Sequence, residues 1–472
     1  MKDAIYKNIE SKFQLTEEIN RRIWDYAELG LQEHKSVELF SKLLEQEGFK
    51  VKKNIAGMPT AFEASFGNGK PIVGIMAEYD ALPNLSQEAG STTHIPVVEN
   101  SSGHGCGHNS LGAASFGAAL AVKDYMVDNN LNGTIKLFGC PSEEKDNGKT
   151  FMARDGYFDD LDAAFTWHPG DKNGTWGLSS LANVSVVFHF KGKTAHAAAA
   201  PHLGRSALDS AEIMSIGVNY LREHVIPEAR IHYAYLDVGG NAPNVVQGTT
   251  SVHYYIRAPK VYQVLEIYER IKDIAKGAAL ICGTESSYEL YTGLSDYMPN
   301  KVLTKVLHES MVEFGPPEFD ENDFKLAREF FNTLSKGEQD NAKKYLVDNY
   351  SKERGESILE KPLHTEIAPF EILPIAVPGS TDVGDLSYVA PTAQLTMSTT
   401  ALGTSPHTWQ MTAQGNTSIA LKGIKAAAGA MALASIKIME NPEIAKEAKE
   451  ELIAKTGGKY TCPIPKDLKP KI

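Results

Sequence analysis

Between residues 72 and 167, short apolar runs alternate with helical stretches, and a polar residue able to do chemistry follows each run. Residues 72–79 exit into Asp80-Ala-Leu-Pro, 135–140 exit through Pro141 to Glu143-Glu144, and 163–167 are closed by His168. Compact apolar runs of this length predict strands buried on both faces. Residues 109–126 are Ala-rich and apolar and predict a buried helix, whereas 36–47 carry apolar residues at 37, 40, 43 and 44 and stop at Gly48, an amphipathic helix with a glycine end. Alternation of this kind predicts an α/β layer domain around a mostly parallel sheet. In such sheets functional groups gather beyond the carboxyl ends of the strands, where Asp80, the Glu pair and His168 all fall.

The pattern changes near residue 184. A strand at 184–190 precedes a helix at 205–222, with apolar residues at 207, 211, 214, 218 and 221. Strands at 231–237 and 250–256 follow, then a helix at 260–278 (264, 268, 271, 275) and a strand at 286–291. The order βαββαβ predicts a ferredoxin-like module. Residues 316–362 are rich in Glu, Lys and Asp at helical spacing and predict a helical excursion on the surface. A strand at 394–399 leads to Gly-Thr-Ser-Pro-His407, and an apolar helix at 419–439 closes the chain. The expected organisation is a catalytic domain in two parts, 1–183 and 296–472, with 184–295 inserted.

A chain of 472 residues exceeds one ordinary core, which suits two domains. Net charge is −12 without a long Lys/Arg block, so neither a nucleic-acid footprint nor a polybasic membrane patch is expected. The first residues are charged at short intervals with no apolar core of a secretory signal, and no stretch reaches the ~20 apolar residues of a membrane span. Four widely spaced cysteines, Cys106, Cys140, Cys282 and Cys462, suit free thiols in a reducing compartment. The expected location is cytoplasmic.

Cys106, His108, one of Glu143 and Glu144, His168 and His407 are five possible metal ligands, with one carboxylate to spare. A hydrolase that activates water with a bound metal needs that inventory, with the spare carboxylate as base. In extended backbone Cys106 and His108 point the same way, and Gly103, Gly105 and Gly107 permit tight paths around them. Each feature has a plainer reading: a buried thiol beside a helix-capping histidine, a solvated acidic loop, two satisfied structural histidines. His104 ranks behind the others as a ligand. A phosphate loop is disfavoured because no Gly-Lys-Ser/Thr follows the glycines.

Gly-His-Gly-Cys-Gly-His-Asn-Ser-Leu-Gly-Ala, Pro-Ser-Glu-Glu, Trp-His-Pro and Gly-Thr-Ser-Pro-His-Thr-Trp-Gln together resemble the aminoacylase and carboxypeptidase metallopeptidases. The closer likeness is to their amidohydrolase branch, which includes auxin-conjugate and aminobenzoyl-glutamate hydrolases. The resemblance implies a zinc-peptidase-like α/β catalytic domain with the inserted ferredoxin-like unit as lid and dimerisation domain. It implies that Cys106, His108, Glu144, His168 and His407 hold two divalent ions, zinc or manganese, and that Glu143 is the base. Five protein ligands are also one too many for a single tetrahedral zinc. In the inserted domain, the resemblance makes His196 the group that stabilises the oxyanion, often across a dimer, and Asn244 and Arg257 the grip on substrate. Gly379, Ser380 and Thr381 would offer backbone N–H groups to the substrate or form a plain turn.

The implied reaction is cleavage of an N-acyl amino acid, p-aminobenzoyl-glutamate foremost, with a dipeptide or another N-acyl amino acid as the alternative. A homodimer, a paired A-type subunit and a non-catalytic subunit role are also within its scope. A cysteine hydrolase using Cys106 is disfavoured, because a ligating thiolate is not free to attack. Two positions depart from the family pattern: Glu78 stands where auxin-conjugate relatives carry Asp, and Cys140 where Gln is common.

Overall fold

A computed structural model describes residues 1–471. Eleven strands form two sheets among the described residues: β1 (Lys50–Lys53), β2 (Phe62–Asn68), β3 (Ile72–Ala77), β4 (Gly133–Gly139), β5 (Ala163–Gly170), β6 (Gly174–Thr175), β7 (Ala182–Lys191), β8 (Arg230–Asp237), β9 (Thr249–Ala258), β10 (Glu285–Leu294) and β11 (Thr392–Ser398). The larger sheet has the order β1-β2-β4-β3-β5-β11-β6. Its central strands β4, β3, β5 and β11 are parallel, while β2 and β6 add antiparallel flanks. The central strands read as continuous apolar runs because helices cover both faces of a parallel sheet. Helices Lys2–Tyr26, His108–Asp128 and Ser418–Glu440 pack together on one face, joining Ile19, Phe116, Leu120, Ile424 and Leu433 to Ile75, Leu137 and Phe165 in the main core. Contrary to the expectation that no stretch is apolar enough to cross a membrane, Ser418–Glu440 is by length and composition, but 83% of its most apolar window is buried within the protein, as in a core helix.

The second sheet, β10-β7-β9-β8, is wholly antiparallel. Helices Ala207–Leu221 and Val261–Cys282 cover one face, burying Met214, Val218, Val264 and Ile271 against Val186, Phe188, Val252 and Tyr254. These residues form a hydrophobic core separate from the main one.

Two further details differ from the sequence reading. The strand expected to end at Trp167 continues as β5 through His168 and Pro169 to Gly170. Proline removes only an N–H, and the ladder runs on through carbonyls: Gly170 O accepts from the Thr399 N–H at 2.8 Å. The expected surface excursion is three helices, Glu321–Thr333, Lys336–Asn349 and Lys352–Glu360, whose inner faces are buried. Phe330 packs with Ala401 and Ala413, and Phe331, Leu334 and Leu346 with Leu402, so the excursion braces the segment that carries His407.

Candidate metal centre

The parallel strands deliver their exits to one edge of the sheet. Glu78 and Asp80 leave β3, Glu143 and Glu144 leave β4, and His168 lies near the end of β5. His108 opens the helix His108–Asp128 behind Gly107, whose φ is 77°. A Cβ on Gly107 would meet Pro169 at 2.7 Å and Met411 at 2.8 Å, so only glycine lets the three segments meet. The His407 backbone N–H donates to the Gly105 carbonyl at 2.7 Å, with His407 itself at φ 62°. One main-chain bond thereby joins the loop after β11 to the Cys106 loop.

Cys106, His108 and His168 present ligand atoms within 4.8 Å of one another; so do Cys106, Glu144 and His407, and so do Glu78, His108 and Glu143. All six residues expected to form the centre therefore converge. Cys106 Sγ lies 3.5 Å from His168 Nε2, His407 Nε2 lies 3.4 Å from Glu144 Oε1, and His108 Nε2 lies 3.3 Å from Glu78 Oε2. Two ligands on one tetrahedral ion, each bonded at about 2.0–2.3 Å, stand about 3.3–3.8 Å apart. His108 Nε2 and Glu144 Oε1 are buried without a hydrogen-bond partner. The second ring nitrogens are occupied: His108 Nδ1 pairs with Asp80 Oδ1 at 2.9 Å, and His168 Nδ1 with the Pro169 carbonyl at 2.9 Å. Such bonds fix the tautomer that turns the Nε2 lone pair toward a metal. Asp80 Oδ2 also accepts from the Glu144 N–H at 3.0 Å, tying the two exits together. These residues fit a centre for divalent cations.

Electrostatics agree. Burial, then the charges of Glu78, Asp382 and Glu144, push the Glu143 carboxyl well above its ordinary range. Burial also pushes Glu144 up, but the neighbouring His407 and His108 rings outweigh it and hold the carboxyl low. Burial, followed by the Glu144 charge, drives the Cys106 thiol far up. The pocket is short of positive charge and draws cations. His104 stays outside these groupings: its Nε2 is spent on the Ile23 carbonyl at 2.9 Å, and burial pushes it down to about 4.

The inserted-domain residues are arranged differently. His196 is exposed, and its Nδ1 accepts from the Ala198 and Ala199 N–H groups at 3.2 and 3.1 Å. It neighbours Asn244, whose carbonyl accepts from the Ala197 N–H at 2.9 Å, but no described contact joins either residue to the metal centre. Arg257 lies 3.5 Å through Nη1 from the Ser380 hydroxyl, and its Nε is buried without a partner. It borders a cavity of about 840 Å³ with Arg230, His232, Leu181 and Pro378. The Gly379 carbonyl accepts from the Leu181 N–H at 2.9 Å, and the Thr381 carbonyl from the Gly384 N–H at 3.1 Å. Cys140, the second departure, is plain core, with Sγ 3.9 Å from Met76 Sδ.

Residues 74–342 match the peptidase family M20/M25/M40. The chain is also 41% identical to the B-type subunit of p-aminobenzoyl-glutamate hydrolase from Escherichia coli, over 98% of this chain and 97% of that one. The chain belongs to peptidase family M20/M25/M40. As a member of that family it is a metal-dependent hydrolase of amide bonds. It is 29% identical to a mouse (Mus musculus) Xaa-Arg dipeptidase over 63% of this chain and 68% of that one. The fold is shared with a Bacillus subtilis protein described as a dinuclear metal binding peptidase of family M20, with a TM-score of 0.57, 14% identity and coverage of 91% and 99%.

Two residues near the centre of this M20 member escaped the sequence reading. Lys149 and Asp382 are fully buried beside Glu78, with Lys149 Nζ 2.5 Å from Glu78 Oε1 and 2.7 Å from Asp382 Oδ1. Nothing local marks Lys149, which sits at the start of the short helix Gly148–Arg154 and reads as a surface lysine.

Proposed function

We propose that the chain hydrolyses the amide bond of p-aminobenzoyl-glutamate, releasing p-aminobenzoate and glutamate. The observation that carries this reading is the meeting of Cys106, His108, Glu143, Glu144, His168 and His407 at ligand-sized separations. Its substrate is drawn from the relative that matches almost the full length. Cys106, His108, Glu144, His168 and His407 would hold two divalent ions, zinc or manganese. Bound ions would supply Lewis-acid polarisation of the carbonyl and lower the pKa of water from 15.7, for zinc to about 7.

Glu143 takes a proton from the attacking water, whose oxygen bonds to the carbonyl carbon. It passes that proton to the leaving nitrogen as the C–N bond breaks. His196 hydrogen-bonds the developing oxyanion after the inserted unit, 184–295, closes on the two-part catalytic unit, 1–183 and 296–472; in a homodimer the partner copy could present it. Arg257, helped by Asn244 and the 379–381 loop, binds a carboxylate of the glutamate through two parallel N–H bonds.

Arg230 stands directly opposite Arg257 in the β8–β9 ladder. Like charges so placed repel unless an anion lies between them. That arrangement favours an acidic amino acid over the arginine-bearing dipeptides named for the mouse relative. A companion A-type subunit is supported by the B-type designation of the Escherichia coli relative, and a cytoplasmic location by the four free cysteines.

The test is amine release by the purified, metal-reconstituted chain from p-aminobenzoyl-glutamate, other N-acyl amino acids and dipeptides. The expected result is a preference for the first that chelator abolishes. A preference for dipeptides would replace the substrate, and turnover that survives chelation would remove the metal mechanism. Activity only with an added A-type subunit would mark this chain as a non-catalytic or dependent partner.

A further inference from the structure

The metal reading leaves one carboxylate without a role. Glu78 is buried at the exit of β3, and its two oxygens face different ways. Oε1 is taken by Lys149 Nζ at 2.5 Å. Oε2 lies 3.3 Å from His108 Nε2, a fully buried ring nitrogen with no hydrogen-bond partner. With His108 Nδ1 spent on Asp80, the neutral ring turns an Nε2 lone pair toward that carboxylate oxygen. Two lone pairs at this separation repel unless a proton or a metal cation stands between them, and a divalent ion bound there would displace the proton. The gap matches those of Cys106 with His168 and of Glu144 with His407, and fits two ligands of one ion.

Lys149 does not fill the gap. Its ammonium is held on the far side, 2.7 Å from Asp382 Oδ1, and its backbone N–H donates to Asp382 Oδ2 at 2.8 Å. Asp382 begins the helix Val383–Val389, next to the 379–381 loop and Ser380, which contacts Arg257. The lysine thus aims one carboxylate oxygen at the centre and anchors the other to the segment bearing the proposed substrate loop.

We infer that Glu78 is a further metal ligand, completing with His108 the shell of one of the two divalent ions, and that Lys149 is a positioning residue that holds Glu78 there. The inference rests on the metal-centre reading above and extends it from five protein ligands to six. An added carboxylate oxygen makes that position harder than the thiolate side and moves its preference toward manganese.

The experiment titrates the metal-free full-length chain with Mn²⁺ or Zn²⁺ alone, in competition with a chromophoric chelator, and counts bound metal by elemental analysis. Glu78→Gln keeps the size of the side chain and an acceptor for Lys149, so the fold should survive, as circular dichroism would verify. The expected result is one ion weakened about 10-fold or more, with the other within about 2-fold of wild type. Lys149→Met should weaken that same ion, and in the Co²⁺-substituted protein both variants should alter the same visible absorption band. Wild-type affinity for both ions in Glu78→Gln and in Glu78→Ala would overturn the ligand, while His407→Ala still losing metal would leave the rest of the centre standing. A wild-type chain that binds no divalent ion would remove the centre itself, and Glu78 with it.

Discussion

Glu143 and Glu144 are neighbours of one residue type with opposite electrostatic fates. Glu144 faces His407, which with His108 holds its carboxyl below the ordinary range, while burial and the charges of Glu78 and Asp382 push the Glu143 carboxyl well above it. On the proposed reading that divergence would separate a ligand from a base, and it arises in a turn that sends the two adjacent side chains to different neighbours. Glu143→Gln is expected to keep its metals and lose about 10²–10⁴-fold in kcat, read as amine release beside elemental analysis. Substantial residual turnover would take the base role from it. Gly107 is as constrained as any side chain. Gly107→Ala should lower Tm and metal content together, because the new Cβ pushes on Pro169 and Met411 at a positive φ. Unchanged metal content would mean that the Cys106 loop can yield. The Cys-x-His pair and the Glu pair were legible in sequence because their residue types are rare beside glycines and after buried strands. Lys149 was not, because a lysine is ordinarily solvated and only its buried partners reveal the exception.

Among the elements, three that share the catalytic core are pinned by one ionic cluster. Lys12 in helix Lys2–Tyr26 and Lys123 in helix His108–Asp128 both reach Glu47, which ends helix His34–Gln46, at 2.7 and 3.1 Å. Burial pushes the Glu47 carboxyl up, but the two ammonium groups outweigh it and hold the carboxyl below its ordinary range. A carboxylate depressed on folding adds stability above its unfolded value, about 4.3, and that stability is lost as pH falls through the folded value. Glu47→Gln should therefore lower Tm at neutral pH, and the gap to wild type should close as the pH is taken down through the carboxylate range. A gap that stays constant with pH in calorimetry would show that the cluster acts by packing rather than by charge. The helices of 321–360 argue the same way about context. Their charge-rich surface suggests an appendage, yet Phe330 and Phe331 are spent on the segment bearing His407.

For the molecule as a whole, the two cores place the expected machinery apart: metal-ligand candidates at the edge of one sheet, His196 and Asn244 on the other unit. His196→Ala should lower kcat by about 10²–10³-fold with metal content unchanged; loss of metal would contradict its assignment to the inserted unit. Chelation should lower Tm, since an ion held at 1,000 times its Kd contributes about 4 kcal/mol to the folded state. No shift on chelation would mean that the centre forms without ions. Local pattern was enough to specify the two layers and the six converging residues, because buried strands, amphipathic helices and strand-exit motifs are each written in a short stretch of chain. Three facts came from packing instead: Glu78 faces His108, Lys149 is buried between carboxylates, and the excursion braces His407. They depend on residues far apart in the chain sharing one low-dielectric space, where charge and volume must be satisfied jointly and no short stretch records the partner.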